Sequence, residues 1–219
     1  MKKSVFISAL FLITCSSHAL ERRITDGLHI APVTSGDIQD DTIAFGWQGA
    51  YDFSRWLTTE LSYSYYEDSL PQETLDSILL PVGSRVDTDV HEVDLTGRIH
   101  LLHNEVASLY AGAGINMLFI NEDAEGVNKA IAANRGSSPI SDFSVDVKKD
   151  IGFHTVIGGE ISLNDHWEIF AEWRYVLQTL ETDFRLVSPA GNGQTSTREI
   201  DRDVGFDHQM VRFGANYRF

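Results

Sequence analysis

From Asp41 onward, apolar and polar residues alternate along the chain in segments of roughly ten residues, the period of a β-strand whose two faces meet unlike surroundings. The last segment is the clearest. Val211, Phe213, Ala215, Tyr217 and Phe219 fall on one face, and Met210, Arg212, Gly214, Asn216 and Arg218 on the other. Trp167, Ile169, Ala171, Trp173, Tyr175 and Leu177 repeat the pattern against Glu168, Phe170, Glu172, Arg174, Val176 and Gln178. The same rule predicts strands over residues 43–51, 57–65, 92–101, 109–119 and 151–161. Residues 24–33, where Leu28 and Ile30 alternate with Gly27, His29 and Ala31, supply a further strand that Asp26 and Pro32 weaken.

The connections alternate in length. Residues 52–55, 103–106 and 164–166 are short and polar, whereas 69–86, 121–142 and 186–204 are long; 34–40 is a short exception among the long set. Ala124–Gly136 has the makings of a brief helix inside its loop, with Gly136 as its C-cap. Strands of about ten residues with alternating short turns and long loops are the plan of a transmembrane barrel. No segment after residue 19 is an apolar run of ~18 residues, so membrane-crossing helices are excluded. A chain that crosses lipid without helices must close on itself, because every backbone N–H and C=O has to be paired there. Such barrels carry an even strand number, which raises residues 24–33 to a strand. The expected fold is all-β: an eight-stranded antiparallel transmembrane up-and-down β-barrel.

The first nineteen residues read as an address. Lys2 and Lys3 precede the apolar stretch Val5–Cys15, and Ser17-His18-Ala19 supplies the small residues at a cleavage site. The expected organisation is a signal peptide over 1–19 and one outer-membrane barrel domain over 20–219. Leu12-Ile13-Thr14 lacks the small residue expected before a lipidated cysteine, so Cys15 is read as part of the signal. Its removal leaves no cysteine, and the barrel must be held by packing and hydrogen bonds. The remainder carries 32 acidic residues and a net charge of about −17 once Lys2 and Lys3 are gone, which argues against nucleic acid as a partner.

A soluble lipocalin-like barrel would show the same alternation with its apolar face inward. Two features favour the inverse arrangement. The polar face is rich in small residues (Ala44, Gly46, Gly112, Gly114, Gly158, Gly214), which a narrow eight-stranded interior needs. Aromatic residues recur near the ends of the apolar stripes, at Tyr51, Trp56, Tyr65, Trp167, Tyr175 and Tyr217, where girdles at the lipid–water boundary belong. The chain also closes on Arg212-x-Gly214-x-x-Tyr217-x-Phe219. That pattern resembles the C-terminal signal that outer-membrane barrels present to their assembly machinery. With the signal peptide and strand plan, the chain is similar to the small barrels of the OmpA-transmembrane, OmpX and opacity-protein type. The resemblance implies insertion into the outer membrane and contact with the barrel-assembly machinery. It implies no activity.

The inward set includes Glu60, Glu92, Asp94, Arg98, His100, His154, Glu160, Glu168, Glu172, Arg174 and Arg212. Charges cannot stand unpaired in a narrow interior, so two readings follow: a structural network in which each arginine bridges carboxylates, or a gated ion path whose ion pairs exchange. A lipid A-modifying enzyme would need a nucleophile and base near the membrane edge. His208, Ser188 and His91 lie in suitable regions but no motif joins them, so no catalytic residue is assigned. Gly112-Ala113-Gly114 lies inside a strand and lacks the rest of a dinucleotide fingerprint. The acidic loop residues Glu67, Asp68, Glu73, Asp76, Glu122, Asp123, Glu125, Asp201 and Asp203 lack ligand-loop spacing, so neither metal nor cofactor is expected. The leading expectation is a non-enzymatic scaffold set in outer-membrane lipid and lipopolysaccharide, whose loops 69–86, 121–142 and 186–204 meet extracellular ligands. The alternative is a small porin-like channel, or a conduit for small or apolar solutes.

Overall fold

The computed structural model describes residues 23–34, 42–69, 86–123, 127–128, 131, 140–148, 150–189 and 194–219. The signal segment 1–19, nearly all of the 34–40 and 69–86 connections, and most of 124–136 lie outside the described residues. Within that last stretch, Val127, Asn128 and Ile131 have helical backbone.

The strands are β1 (Ile24–Thr34), β2 (Thr42–Ser54), β3 (Leu57–Ser69), β4 (Asp87–His103), β5 (Ala107–Asp123), β6 (Asp142–Val147), β7 (Ile151–Ser162), β8 (Trp167–Leu177), β9 (Thr179–Pro189), β10 (Thr195–Gly205) and β11 (His208–Arg218). Eight of them close an antiparallel barrel in the order β1-β11-β8-β7-β5-β4-β3-β2, and β10-β9-β6 form a separate three-stranded sheet. The barrel shuts where β1 meets β11, with Leu28 opposite Ala215 and Ile30 opposite Phe213. The two residues that weaken β1 as a sequence pattern are accommodated locally. Asp26 accepts a hydrogen bond from the Trp47 indole. The β1–β11 ladder passes over Ala31 and Pro32, where proline has no N–H to give, while Pro32 stands opposite Ile43 on the β2 side.

The short turns are held by their own side chains. Asn104 Oδ1 accepts from the backbone N–H groups of Val106 and Ala107, both at 2.9 Å, and Asn164 Oδ1 does the same for His166 and Trp167. Ser54 Oγ receives Trp56 and Leu57 at 3.2 and 3.1 Å. Asn and Ser are suited to this because their short polar arms satisfy a tight turn's donors. These turns mark the periplasmic end. The stripe containing Leu28, Phe45, Ile99, Phe153, Ile157 and Phe213 is exposed on the outside, and the small and charged set is buried inside. The apolar face is therefore the outer one.

The expectation of a loop over 186–204 is corrected. β9 and β10 form a hairpin in unbroken register from Thr195 opposite Pro189 to Gly205 opposite Thr179. It carries β8 and β11 onward past Gln178 and the Phe206-Asp207 break, and β6 joins along β9. Leu180, Thr182, Phe184 and Leu186 are buried, while Glu181 and Arg185 between them are exposed. The period is that of a strand, but the outward face is charged because it stands above the bilayer in water. On that face Lys148 Nζ lies 3.3 Å from both Glu181 and Asp183, whose carboxylates hold its amine above the usual lysine range.

The inner face of this sheet creates an apolar layer over the extracellular end of the lumen. Phe143, Leu180, Phe184 and Leu186 join Tyr66, Val90, Leu118, Phe206 and Met210 in one buried cluster. The Phe143 and Phe184 rings stack with centroids 6.2 Å apart. Full burial of such side chains stabilises by about 1.5–3 kcal/mol each.

Candidate functional site

Strand register brings the lumen charges together. Arg212 on β11 stands opposite Glu172 on β8, Glu172 opposite Gly158 on β7, and Gly158 opposite Tyr110 on β5. Gly158 is what allows this row: a Cβ there would lie 2.6 Å from the Glu172 Cβ and from the Tyr110 hydroxyl. Arg174 lies one inward position from Glu172, and Arg98 on β4 stands opposite Thr58 on β3, one inward position from Glu60.

The result is one connected network. Glu172 Oε1 accepts from Arg174 and Arg212, each at 2.9 Å, and its Oε2 accepts from Arg98 at 2.9 Å and the Tyr110 hydroxyl at 2.8 Å. Glu60 pairs with Arg98 through Oε2 and with Arg174 (3.0 Å) and Arg212 (3.4 Å) through Oε1. Arg174 also reaches Asp94 at 2.5 Å, and Arg98 reaches Glu160 at 3.2 Å while lying 4.4 Å over the Tyr110 ring. The side chains of Arg174, Arg212, Glu60 and Glu172 have no exposed surface and that of Arg98 has 1%. Such charges persist out of water only when each is matched and hydrogen-bonded.

Histidines extend the network toward the extracellular side. Arg212 donates to His29 Nδ1 at 2.9 Å, so His29 carries its proton on Nε2 and gives it to Ser64 Oγ at 3.0 Å. His154 contacts Thr96 at 2.8 Å and lies 3.7 Å from Asp94. Glu92 lies 3.3 Å from His208, whose other ring nitrogen faces the Phe206 carbonyl at 3.1 Å.

At the periplasmic mouth the barrel holds a cavity of about 520 Å³. Its lining includes Arg23, Arg55, Trp56, Thr58, His100, His103, Glu160, Glu168 and Arg218. Glu168 is ion-paired with Arg218, which also donates to Ser162 at 3.3 Å. His100 is fixed between Thr58 at 2.8 Å and Ser108 at 2.5 Å.

The structure thus places Glu60, Glu92, Asp94, Arg98, His154, Glu172, Arg174 and Arg212 within the interior, with Glu160 and Glu168 lining the mouth. His29, Gln48, Ser62, Tyr110 and Arg218 take part in the interior bonding and were not singled out from sequence, although each follows the same alternation. Of the terminal pattern, Arg212 points inward, Gly214 leaves room for the Phe170 ring, and Tyr217 and Phe219 meet edge to face at 5.0 Å. Tyr51, Trp167 and Tyr217 stand at the periplasmic ends of their strands, Trp56 in the turn between β2 and β3, and Tyr65 and Tyr175 toward the other end. His208 is buried in the lumen, Ser188 pairs with Ser196 in the extracellular hairpin, and His91 bonds Tyr63 at 2.7 Å on the outer wall. These three are not brought together.

An eight-stranded barrel with an apolar exterior, a charged buried interior and aromatic residues at both rims defines the class: a small barrel of the outer membrane. The chain belongs to the outer membrane protein beta-barrel domain family, whose model matches residues 7–219. No curated protein matches it in sequence. Among solved structures it is similar to the outer membrane protein OprG from Pseudomonas aeruginosa, with a TM-score of 0.59 and 17% identity over 90% of this chain and 95% of that one. It is also similar to the outer membrane protein AlkL (TM-score 0.56, 14% identity, 94% of each chain). A third is Neisserial surface protein A (TM-score 0.53, 12% identity, 90% of this chain and 97% of that one). At these identities the likeness is one of fold. The protein is located in the outer membrane.

Proposed function

We propose that the protein is a closed, non-enzymatic barrel whose extracellular sheet and loops are its working surface. The observation that carries this reading is the filled interior: Arg98, Arg174, Arg212, Glu60 and Glu172 are buried across the lumen, and the apolar layer around Phe184 lies above them. Conduction needs a continuous wet path, which a filled interior does not offer. A scaffold needs only a rigid wall, and matched buried charges stiffen one. In this reading residues 1–19 are removed on export, residues 20–219 form the barrel, lipid and lipopolysaccharide surround it, and its terminal strand is read by the assembly machinery. Extracellular ligands meet the β9–β10 hairpin and the loops beside it.

The test is current through refolded protein in a planar bilayer, with folding checked by the unboiled-versus-boiled gel shift. Silence from folded protein is the expected result. Reproducible openings that change on Glu172→Gln would overturn the closed reading and make the network a gate. The apolar layer favours one second reading, a conduit for apolar solutes entering from outside. In that case Phe184→Ala should speed uptake of an apolar probe into vesicles, and a closed scaffold predicts no change.

A further inference from the structure

The periplasmic cavity plays no part in that reading, yet it has the size and chemistry of a binding site. Its volume of about 520 Å³ lies within the range of small-molecule sites, ~300–1,000 Å³. Seven of the eight barrel strands contribute to its lining. It ends where Glu160 meets Arg98 and the buried network begins.

The carboxylates on its lining are already partnered. Asp52 receives the Thr58 hydroxyl at 2.5 Å, Glu160 receives Arg98 at 3.2 Å, and Glu168 is paired with Arg218. Two donors on the lining are not. Among the described residues, the Arg55 guanidinium meets only the Trp56 ring at 5.1 Å, and the His103 imidazole only the His100 ring at 5.6 Å. Arg23 adds a further positive charge to the same lining. A cavity whose carboxylates are partnered and whose Arg55 and His103 are not offers open donors to an anion. The planar fork of arginine suits an oxyanion with several equivalent oxygens, phosphate above all.

We propose that the periplasmic mouth is a blind site for a phosphate group, held by Arg55 and His103 with Arg23 nearby and Trp56 as its aromatic wall. That it is blind rests on the closed lumen argued above; that it binds phosphate does not. Phe53 and Trp56 are both about half exposed at the rim, where the strands meet the periplasmic leaflet. The phosphate can therefore come from a phospholipid headgroup or from solution.

The experiment uses the full barrel, refolded in maltoside micelles free of phosphate and verified by gel shift. Calorimetric titration with inorganic phosphate is compared between wild type and the Arg55→Gln/His103→Gln double variant. Loss of the Arg55 charge-assisted contact together with the His103 contact should weaken binding at least about tenfold. A second arm measures retention of phosphatidylglycerol by native mass spectrometry for both proteins. Saturable phosphate binding that the variant loses supports the site with a soluble ligand. Lipid retention alone, lost in the variant, supports it with a headgroup. No binding in either arm, or equal binding by the variant, overturns it. Bilayer conductance reports separately on the closed lumen, so the two ideas fail independently.

Discussion

Glu172 is where removal of one side chain should cost most. Its two oxygens accept from Arg174, Arg212, Arg98 and Tyr110 at 2.8–2.9 Å. In Glu172→Ala, Arg174 keeps Asp94 and Glu60, and Arg98 keeps Glu60 and Glu160. Arg212 keeps only Glu60 at 3.4 Å among carboxylates, with neutral His29 and Gln48 beside it. Four bonds to a charged group at about 1.5–3 kcal/mol each set a ceiling of roughly 6–12 kcal/mol, and water entering the vacated space lowers that. Breaking one side of a buried ion pair typically costs about 3–5 kcal/mol, which is the expected loss. With a urea dependence of about 1–3 kcal/mol per M, the unfolding midpoint in lipid vesicles should fall by at least ~1 M. Glu168→Ala is the comparison: its partner Arg218 is at the mouth and partly exposed, so the loss should be smaller. Replacing Arg212 by Met in the Glu172→Ala background removes the stranded charge and should restore part of the stability. A Glu172→Ala barrel within about 1 kcal/mol of wild type, or one hurt less than Glu168→Ala, would refute the claim that the interior is a filled, matched network.

Four further outcomes are expected. Gly158→Val drives a side chain into Tyr110 and Glu172 and should destabilise by about 1–3 kcal/mol or more in the same unfolding assay. Trp173→Asp puts a charge on the lipid face and removes the indole bond to Gln209, so folding into vesicles should be weakened, by less than the about 2–4 kcal/mol that a midplane Arg or Lys costs. Phe184→Ala opens the extracellular apolar layer at about 3–5 kcal/mol; limited proteolysis should then cut within 179–205 while the barrel still shows its gel shift. Phe219→Ala should lower the amount of folded barrel in the outer membrane of expressing cells, and a normal amount would count against an assembly role for the terminal residues.

The barrel was legible because lipid imposes a rule that every spanning strand obeys, so alternation alone located seven strands and parity supplied β1. The extracellular sheet was less legible for the converse reason. Above the bilayer the outward face is free to be charged, as at Glu181, Asp183 and Arg185, and the apolar stripe that marks a spanning strand is absent. Alternation also indicated that Arg98, Arg174 and Arg212 face inward. It could not say which carboxylate each meets, because that depends on register and on contacts across the lumen, such as Arg212 to Glu60. The cavity at the mouth was legible only in part: alternation turns His100, Glu160 and Glu168 inward, whereas Arg23, Arg55, Trp56 and His103 come from strand ends and turns, where no period operates.

The same network bears on how the barrel comes into being. Glu60 lies on β3, and the arginines that match it come from β4, β8 and β11, the last separated from it by 152 residues of sequence. While the sheet is still open these groups remain hydrated and attract one another only weakly. Their pairing becomes strong when β11 meets β1 and water leaves, so the interior contributes little until the circle is complete. A nascent sheet lacking its last hairpin would hold an incomplete set of counter-charges, a state that gains nothing by drying. Closure should then behave as a single event, and the charges that fill the finished lumen would act beforehand as a penalty against stopping short.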